Sequence, residues 1–194
     1  NGVPAQFIAQ VPTVLSCDEP AKYVAERMAT QLCAPLVANR YSLDLVDVTR
    51  SPHHRQLFPL RSRTWPAEDR QRLIDLIYRP YRERVRREIG RIAVRSSFVV
   101  HLSVRTFELR NHQGKLRRAD VGMLYDPSVD DEVDLCLDWL DAMYDEVPML
   151  RVRRNYPRRG TTDSITKAMR GEYSANSYIG IELLLNRAWA ARPV

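Results

Sequence analysis

The sequence predicts an α/β domain of three layers, a mostly parallel or mixed sheet flanked by helices on both faces. Three observations carry that prediction. Short apolar runs alternate with longer stretches whose apolar residues recur at helical spacing, the pattern of strand and helix units joined by right-handed crossovers. The run Ser97 to Val104 contains Phe98, Val99, Val100, Leu102 and Val104, apolar at alternating positions on both sides, as in a strand buried on both faces and central in its sheet. The chain has 194 residues, 44% hydrophobic and 28% charged, which suits one buried core and a single domain spanning 1–194.

The elements follow in order. Ala21, Val24, Ala25, Met28 and Leu32 recur at helical spacing after Asp18, a good capping residue, with Pro20 tolerable in the first turn. Leu43, Leu45, Val46 and Val48 predict a short strand ending around Asp47 and Arg50, and polar residues at a strand end are where α/β folds place their sites. A second helix starts near Trp65 and Pro66 and carries Leu73, Ile74, Ile77, Tyr81, Val85 and Ile89 on one stripe, and Pro80 should kink or split it. After the Ser97–Val104 strand, Asn111 to Arg118 reads as a loop around Gly114, and Val121 to Tyr125 as a short strand. Asp130 can cap a helix that buries Val133, Leu135, Cys136, Leu137, Trp139, Leu140 and Met143. Leu150 and Val152 form a strand, Asp163 or Ser164 opens a short helix towards Arg170, and Tyr178 to Leu185 make a last apolar strand.

Composition narrows the function classes. No apolar run approaches the roughly 18 residues of a membrane span, and the first residues lack the basic-then-apolar layout of a secretory signal, so the default location is the cytoplasm. Cys17, Cys33 and Cys136 are odd in number, far apart and without CxxC spacing, which indicates reduced thiols; Cys33 and Cys136 sit in helical apolar patterns and read as packing residues. A formal charge of +6, carried mainly by arginine, suits an acidic partner such as a small carboxylate or nucleic acid, because a guanidinium fork binds carboxylate or phosphate bidentately. Arg82, Arg84, Arg86, Arg87 and Arg91 crowd the second helix, but Glu83 and Glu88 interleave and no nucleic-acid motif accompanies them, so that helix reads as a solvated face and the partner as a small molecule rather than nucleic acid or membrane.

Five segments together resemble the N-formylglutamate amidohydrolase family. They are Asn1-Gly-Val-Pro4; Tyr41 to Pro52 with Asp47-Val-Thr-Arg50; Val99-Val-His-Leu-Ser-Val-Arg-Thr-Phe107; Gly114 to Pro127 with Arg117-Arg-Ala-Asp120; and Arg154-Asn-Tyr-Pro157 through Gly160 and Asp163 to Gly180-Ile-Glu182. The resemblance implies a fold similar to zinc-dependent carboxypeptidases and an activity that hydrolyses N-formyl-L-glutamate, or another N-acyl amino acid, to formate and glutamate in histidine degradation. It also implies a zinc that polarises the amide and activates water, with a glutamate moving protons. The family's first strand, ending in a Glu-His pair, precedes the Asn-x-Val-Pro segment with which this chain begins, so the chain is expected to lack that strand and the C-terminal end. The neighbour position so left open invites pairing with another chain, a homo-oligomer.

The same resemblance assigns candidate roles. The position of a third zinc ligand, a histidine, is occupied by Arg105, which stays protonated and has no lone pair for a metal but whose charge makes it a candidate for binding the substrate carboxylate. The expectation is therefore a chain without bound zinc, inactive as a hydrolase, with a non-catalytic anion-binding or scaffold role as the alternative. Arg50 matches the arginine of the family's carboxylate-gripping Asn-Arg pair, here Thr49-Arg50; otherwise it pairs only with Asp47 or a nearby acid. Arg117 and Asp120 match the Arg-x-Ala-Asp segment and either shape the pocket or hold their loop by a buried ion pair. Glu182 on the last apolar strand is the candidate catalytic carboxylate, since a carboxylate there is costly unless paired or functional. His53, His54, His101 and His112 read as structural or solvent-facing histidines rather than ligands.

Overall fold

The computed structural model describes residues 17–190. Among the described residues seven α-helices, one π-helical turn and four strands follow one another: α1 (Glu19–Gln31), α2 (Leu60–Arg63), α3 (Ala67–Leu73), the π-helical turn (Ile74–Tyr78), α4 (Arg79–Ala93), β1 (Val99–Phe107), β2 (Val121–Leu124), α5 (Asp130–Glu146), β3 (Val152–Arg154), α6 (Ile165–Arg170), β4 (Tyr178–Asn186) and α7 (Arg187–Ala190). The sheet order is β1-β4-β2-β3, with β1 parallel to β4, β2 parallel to β3, and β2 antiparallel to β4. It is a mixed sheet between two helical layers. Val24 and Met28 of α1 and Val133, Trp139 and Met143 of α5 pack with Ile179, Ile181, Leu183 and Leu185 on one face. On the other face Val85 and Ile89 of α4 and Ile165 and Met169 of α6 pack with Val99 and Tyr178.

Two expectations are corrected. The Leu43–Val48 run is a series of turns and not a strand, although Leu45, Val46 and Val48 are wholly buried, because Asp47 caps the turn by accepting from Thr49 N at 3.1 Å and Thr49 Oγ1 at 2.6 Å. Short polar side chains that bond local backbone compete with the ladder a strand needs. The β1 strand lies at the edge of the sheet among the described residues, and fully buried β4 is central. An apolar run on both sides reports cover above and below, which α1 and α4 give to β1, but says nothing of lateral position.

The second helix breaks where Pro80 requires it. The turn before it widens to a π turn, with Arg79 N bonding Ile74 O, and places Tyr78 and Ile77 inward. Ser164 caps α6 by accepting from Lys167 N at 3.2 Å, whereas α5 starts at Asp130 without a side-chain cap bond. Asp18 precedes α1 but does not cap it. Its carboxylate instead accepts from Thr106 N at 2.7 Å and Thr106 Oγ1, tying the start of α1 to the end of β1. Cys33 lies beyond α1, exposed and with φ 50, so it is no packing residue, while Cys136 is buried and burial pushes its thiol up to about 12.

Candidate functional site

The site is built on the face that β1 and β4 share. In their parallel register Ser103 lies beside Glu182 and Arg105 beside Leu184, so Ser103, Arg105 and Glu182 project to one side. The turns at 45–51 fold over this face. Arg105 donates through Nη1 to Thr49 Oγ1 at 2.6 Å and through Nη2 to Asp47 Oδ2 at 3.5 Å. Arg50 Nε stands 3.5 Å from the same Asp47 oxygen, and Arg50 Nη1 donates to Asp163 O at 2.9 Å. Asp163 in turn accepts from Ser51 N at 3.0 Å, which locks the turn against the segment leading into α6.

Glu182 is fully buried, and both of its oxygens are engaged. Oε2 accepts from Arg158 Nη2, and Oε1 accepts from Thr166 Oγ1 at 3.2 Å. Arg158 is delivered by a loop pinned to the end of β2. Asn155 has a φ of 49, in the left-handed region that asparagine tolerates, and its Oδ1 accepts from Gly160 N at 2.7 Å and Tyr125 N at 3.3 Å. Gly160 and Gly122 have no room for a side chain: a Cβ on Gly160 would lie 2.3 Å from Tyr125 O, and one on Gly122 would lie 1.9 Å from Tyr156 O.

Three guanidiniums, Arg50, Arg105 and Arg158, thus share two directly paired carboxylates, Asp47 and Glu182. Burial holds Arg158 below the ordinary arginine range, and the charges of Arg105 and Arg50 add to that, against the pull of Glu182. Burial would raise Asp47, but Arg105, Thr49 and Arg50 outweigh it and hold the carboxyl below its usual range. Arg105 is raised, because Asp47, Glu182 and Asp18 offset its burial. Beside this cluster, Thr49, Ser103, Arg105 and Asp18 form one polar end of a largely apolar cavity of about 420 Å³ that runs between α1, α4 and the outer edge of β1 and is also lined by Lys22, Glu88 and His101.

Not every candidate joins this site. Asp120 is buried and takes a bidentate contact from Arg151, Nη2 at 2.7 Å and Nε at 2.9 Å, so it anchors the start of β2 to the segment before β3. Arg117 donates to the carbonyls of Glu108 and Arg110 and lies over the Phe107 ring at 5.9 Å, holding the β1–β2 loop. Neither bonds to Arg50, Arg105 or Glu182. His101 is a half-buried histidine whose Nδ1 is 2.6 Å from Tyr178 OH, and desolvation lowers it to about 4. Sequence reasoning missed Arg158 and Thr166. A carboxylate on an apolar strand did signal that some partner exists, but nothing in periodicity says which loop supplies it.

The donor set can be tested against zinc. Among the described residues no group of three His, Cys, Asp or Glu side chains converges. Around Glu182 the nearest partners are a guanidinium and a hydroxyl, and a protonated guanidinium offers a metal no lone pair. These residues do not fit a catalytic zinc.

A sequence profile of N-formylglutamate amidohydrolase matches residues 14–187. The chain belongs to the N-formylglutamate amidohydrolase family. Its fold is similar to the crystal structure of gene product Atu2144 from Agrobacterium tumefaciens, with a TM-score of 0.74 and 21% identity over 98% of this chain and 75% of that one. No curated protein matches the chain significantly.

Proposed function

We propose that this amidohydrolase-family chain binds a small carboxylate of the N-acylglutamate type and does not hydrolyse it. One observation carries the reading: Glu182 has both oxygens committed, to Arg158 and Thr166, while Arg105 turns a second cation towards the same carboxylate. A general base needs a free oxygen within reach of water or substrate, and this carboxylate is instead the counter-ion of an arginine. Arg50, Arg105 and Arg158 present forked donors to a carboxylate, and the alignment of Arg50 with the family's carboxylate grip supports the same ligand class.

Binding to the folded state alone raises thermal stability, with the logarithm of ligand concentration once ligand exceeds its Kd. N-formylglutamate, glutamate or succinate should each raise the melting temperature, Arg50→Ala or Arg158→Gln should remove that rise, and zinc-equilibrated protein should release no formate. A stabilisation that survives both substitutions would move the carboxylate elsewhere, and formate release lost on Glu182→Gln would restore the hydrolase.

A further inference from the structure

On the far side of the 45–51 turns lies a second cleft, of about 680 Å³, between α3, the π turn, α4 and the 52–58 segment. Four arginines line it, Arg70, Arg79, Arg82 and Arg86, against one acid, Glu83. Arg82 is the unusual one. It is 8% exposed, yet its hydrogen bonds run only from Nη1 to neutral carbonyls, Arg50 O at 3.1 Å and Val48 O at 3.5 Å, and no carboxylate pairs with it among the described residues. A buried charge is normally paired, because an uncompensated one is costly. The Tyr78 ring lies 5.4 Å below its guanidinium and offsets part of that cost.

The neighbours of Arg82 point to what is missing. Arg79 and Arg86 lie three residues before and four residues after it, on the same helical face. Arg79 is held by Asp75 at 2.9 Å and Arg86 by a two-pronged pair with Glu172 at 2.6 Å, whose charge also reaches Arg82, while no carboxylate bonds to Arg82 directly among the described residues. At the other end Arg70 sits over Phe58 at 5.5 Å, with its Nε buried and unbonded. We infer that this cleft is a second anion site, centred on Arg82 and flanked by Arg79 and Arg86, that takes a small phosphate-class oxyanion. A tetrahedral oxyanion offers acceptors in several directions to donors stacked along a helix face, whereas a planar carboxylate suits a single fork. Arg82 Nη1 and Tyr78 OH both hold Arg50 O, the latter at 2.8 Å, so the two anion sites lie back to back across one turn.

The test uses the full chain and inorganic phosphate, titrated at constant ionic strength against chloride, with the melting temperature as readout. Phosphate should raise it saturably. Arg82→Lys, which keeps the charge but loses the fork, should weaken the apparent affinity about tenfold. The double substitution Arg79→Gln with Arg86→Gln, at exposed positions, should weaken it comparably without threatening the core. Arg158→Gln, in the carboxylate site, should leave the phosphate response intact and so separates the two sites. A response no greater than that of chloride would overturn the inference. So would one that Arg158→Gln abolishes and the α4 substitutions preserve.

Discussion

Arg158 and Glu182 form an ion pair whose carboxylate is 1% exposed and whose guanidinium is 20% exposed, so removing one charge strands the other in a poorly solvated place. Glu182→Gln should therefore cost about 3 kcal/mol in urea unfolding. A Glu182 that served only as a proton carrier would leave stability nearly unchanged. His101 gives a pH signature of its own. Its folded pKa of about 4 lies below the usual 6.5, so between those values the unfolded chain binds the proton and the folded chain does not. Stability should fall as pH drops through that window, by up to about 3 kcal/mol, and His101→Gln should flatten the slope there. A wild-type stability curve flat from pH 6.5 to 4 would contradict the burial argument. Asp47 acts lower down: its depressed pKa gives stability present above the ordinary 3.8 and lost as pH falls through the folded value. At this scale the sequence made Arg50, Arg105 and Glu182 visible through chemistry out of place, a cation at a ligand position and a carboxylate on an apolar strand. Arg158 stayed hidden, since its partner is 24 residues away and is reached only through the Asn155 turn.

The elements were legible wherever a stripe or an apolar run met its own backbone rule. Helices α1, α4 and α5 and strands β1, β2 and β4 stand where periodicity put them, and Pro80 divides the second helix through the π turn. Turns escaped, because Leu45, Val46 and Val48 are as apolar as a strand while Asp47 and Thr49 bond locally. The lateral order of strands escaped as well, being set by pairings far apart in sequence. The loop that carries Arg158 depends on a close approach of backbones at Gly122 and Gly160. Gly122→Ala would place a Cβ 1.9 Å from Tyr156 O, where backbone has to move, and should destabilise the chain by about 2 kcal/mol or more. The same substitution should also weaken carboxylate stabilisation, since it displaces the segment before Arg158. Gly114→Ala is the useful contrast. Its φ of 76 strains any side chain, but a Cβ there meets nothing, so it should cost about 1 kcal/mol and leave ligand binding alone.

As a whole molecule the chain is a three-layer α/β domain whose sheet ends, among the described residues, on the nine-residue edge strand β1 and the three-residue edge strand β3. The odd-numbered residues of β1 face β4, as Val99 N bonding Ser177 O indicates, so the N–H and C=O groups of Val100, Leu102 and Val104 point outward, beside the 420 Å³ apolar cavity. An unpaired edge of that kind templates strand addition. Self-association that rises with concentration is expected, and Val100→Lys should suppress it. A strictly monomeric protein by sedimentation equilibrium at high concentration would count against that. We propose that this family scaffold binds a carboxylate in place of metal chemistry, with Arg105 and Arg158 supplying positive charge. The most direct measurement is calorimetric titration of zinc-equilibrated protein with N-formylglutamate, followed by formate analysis of the same cell. Saturable binding that Arg50→Ala abolishes, with no bound zinc and no formate, is the predicted result; one zinc per chain and formate released in step with turnover would contradict it.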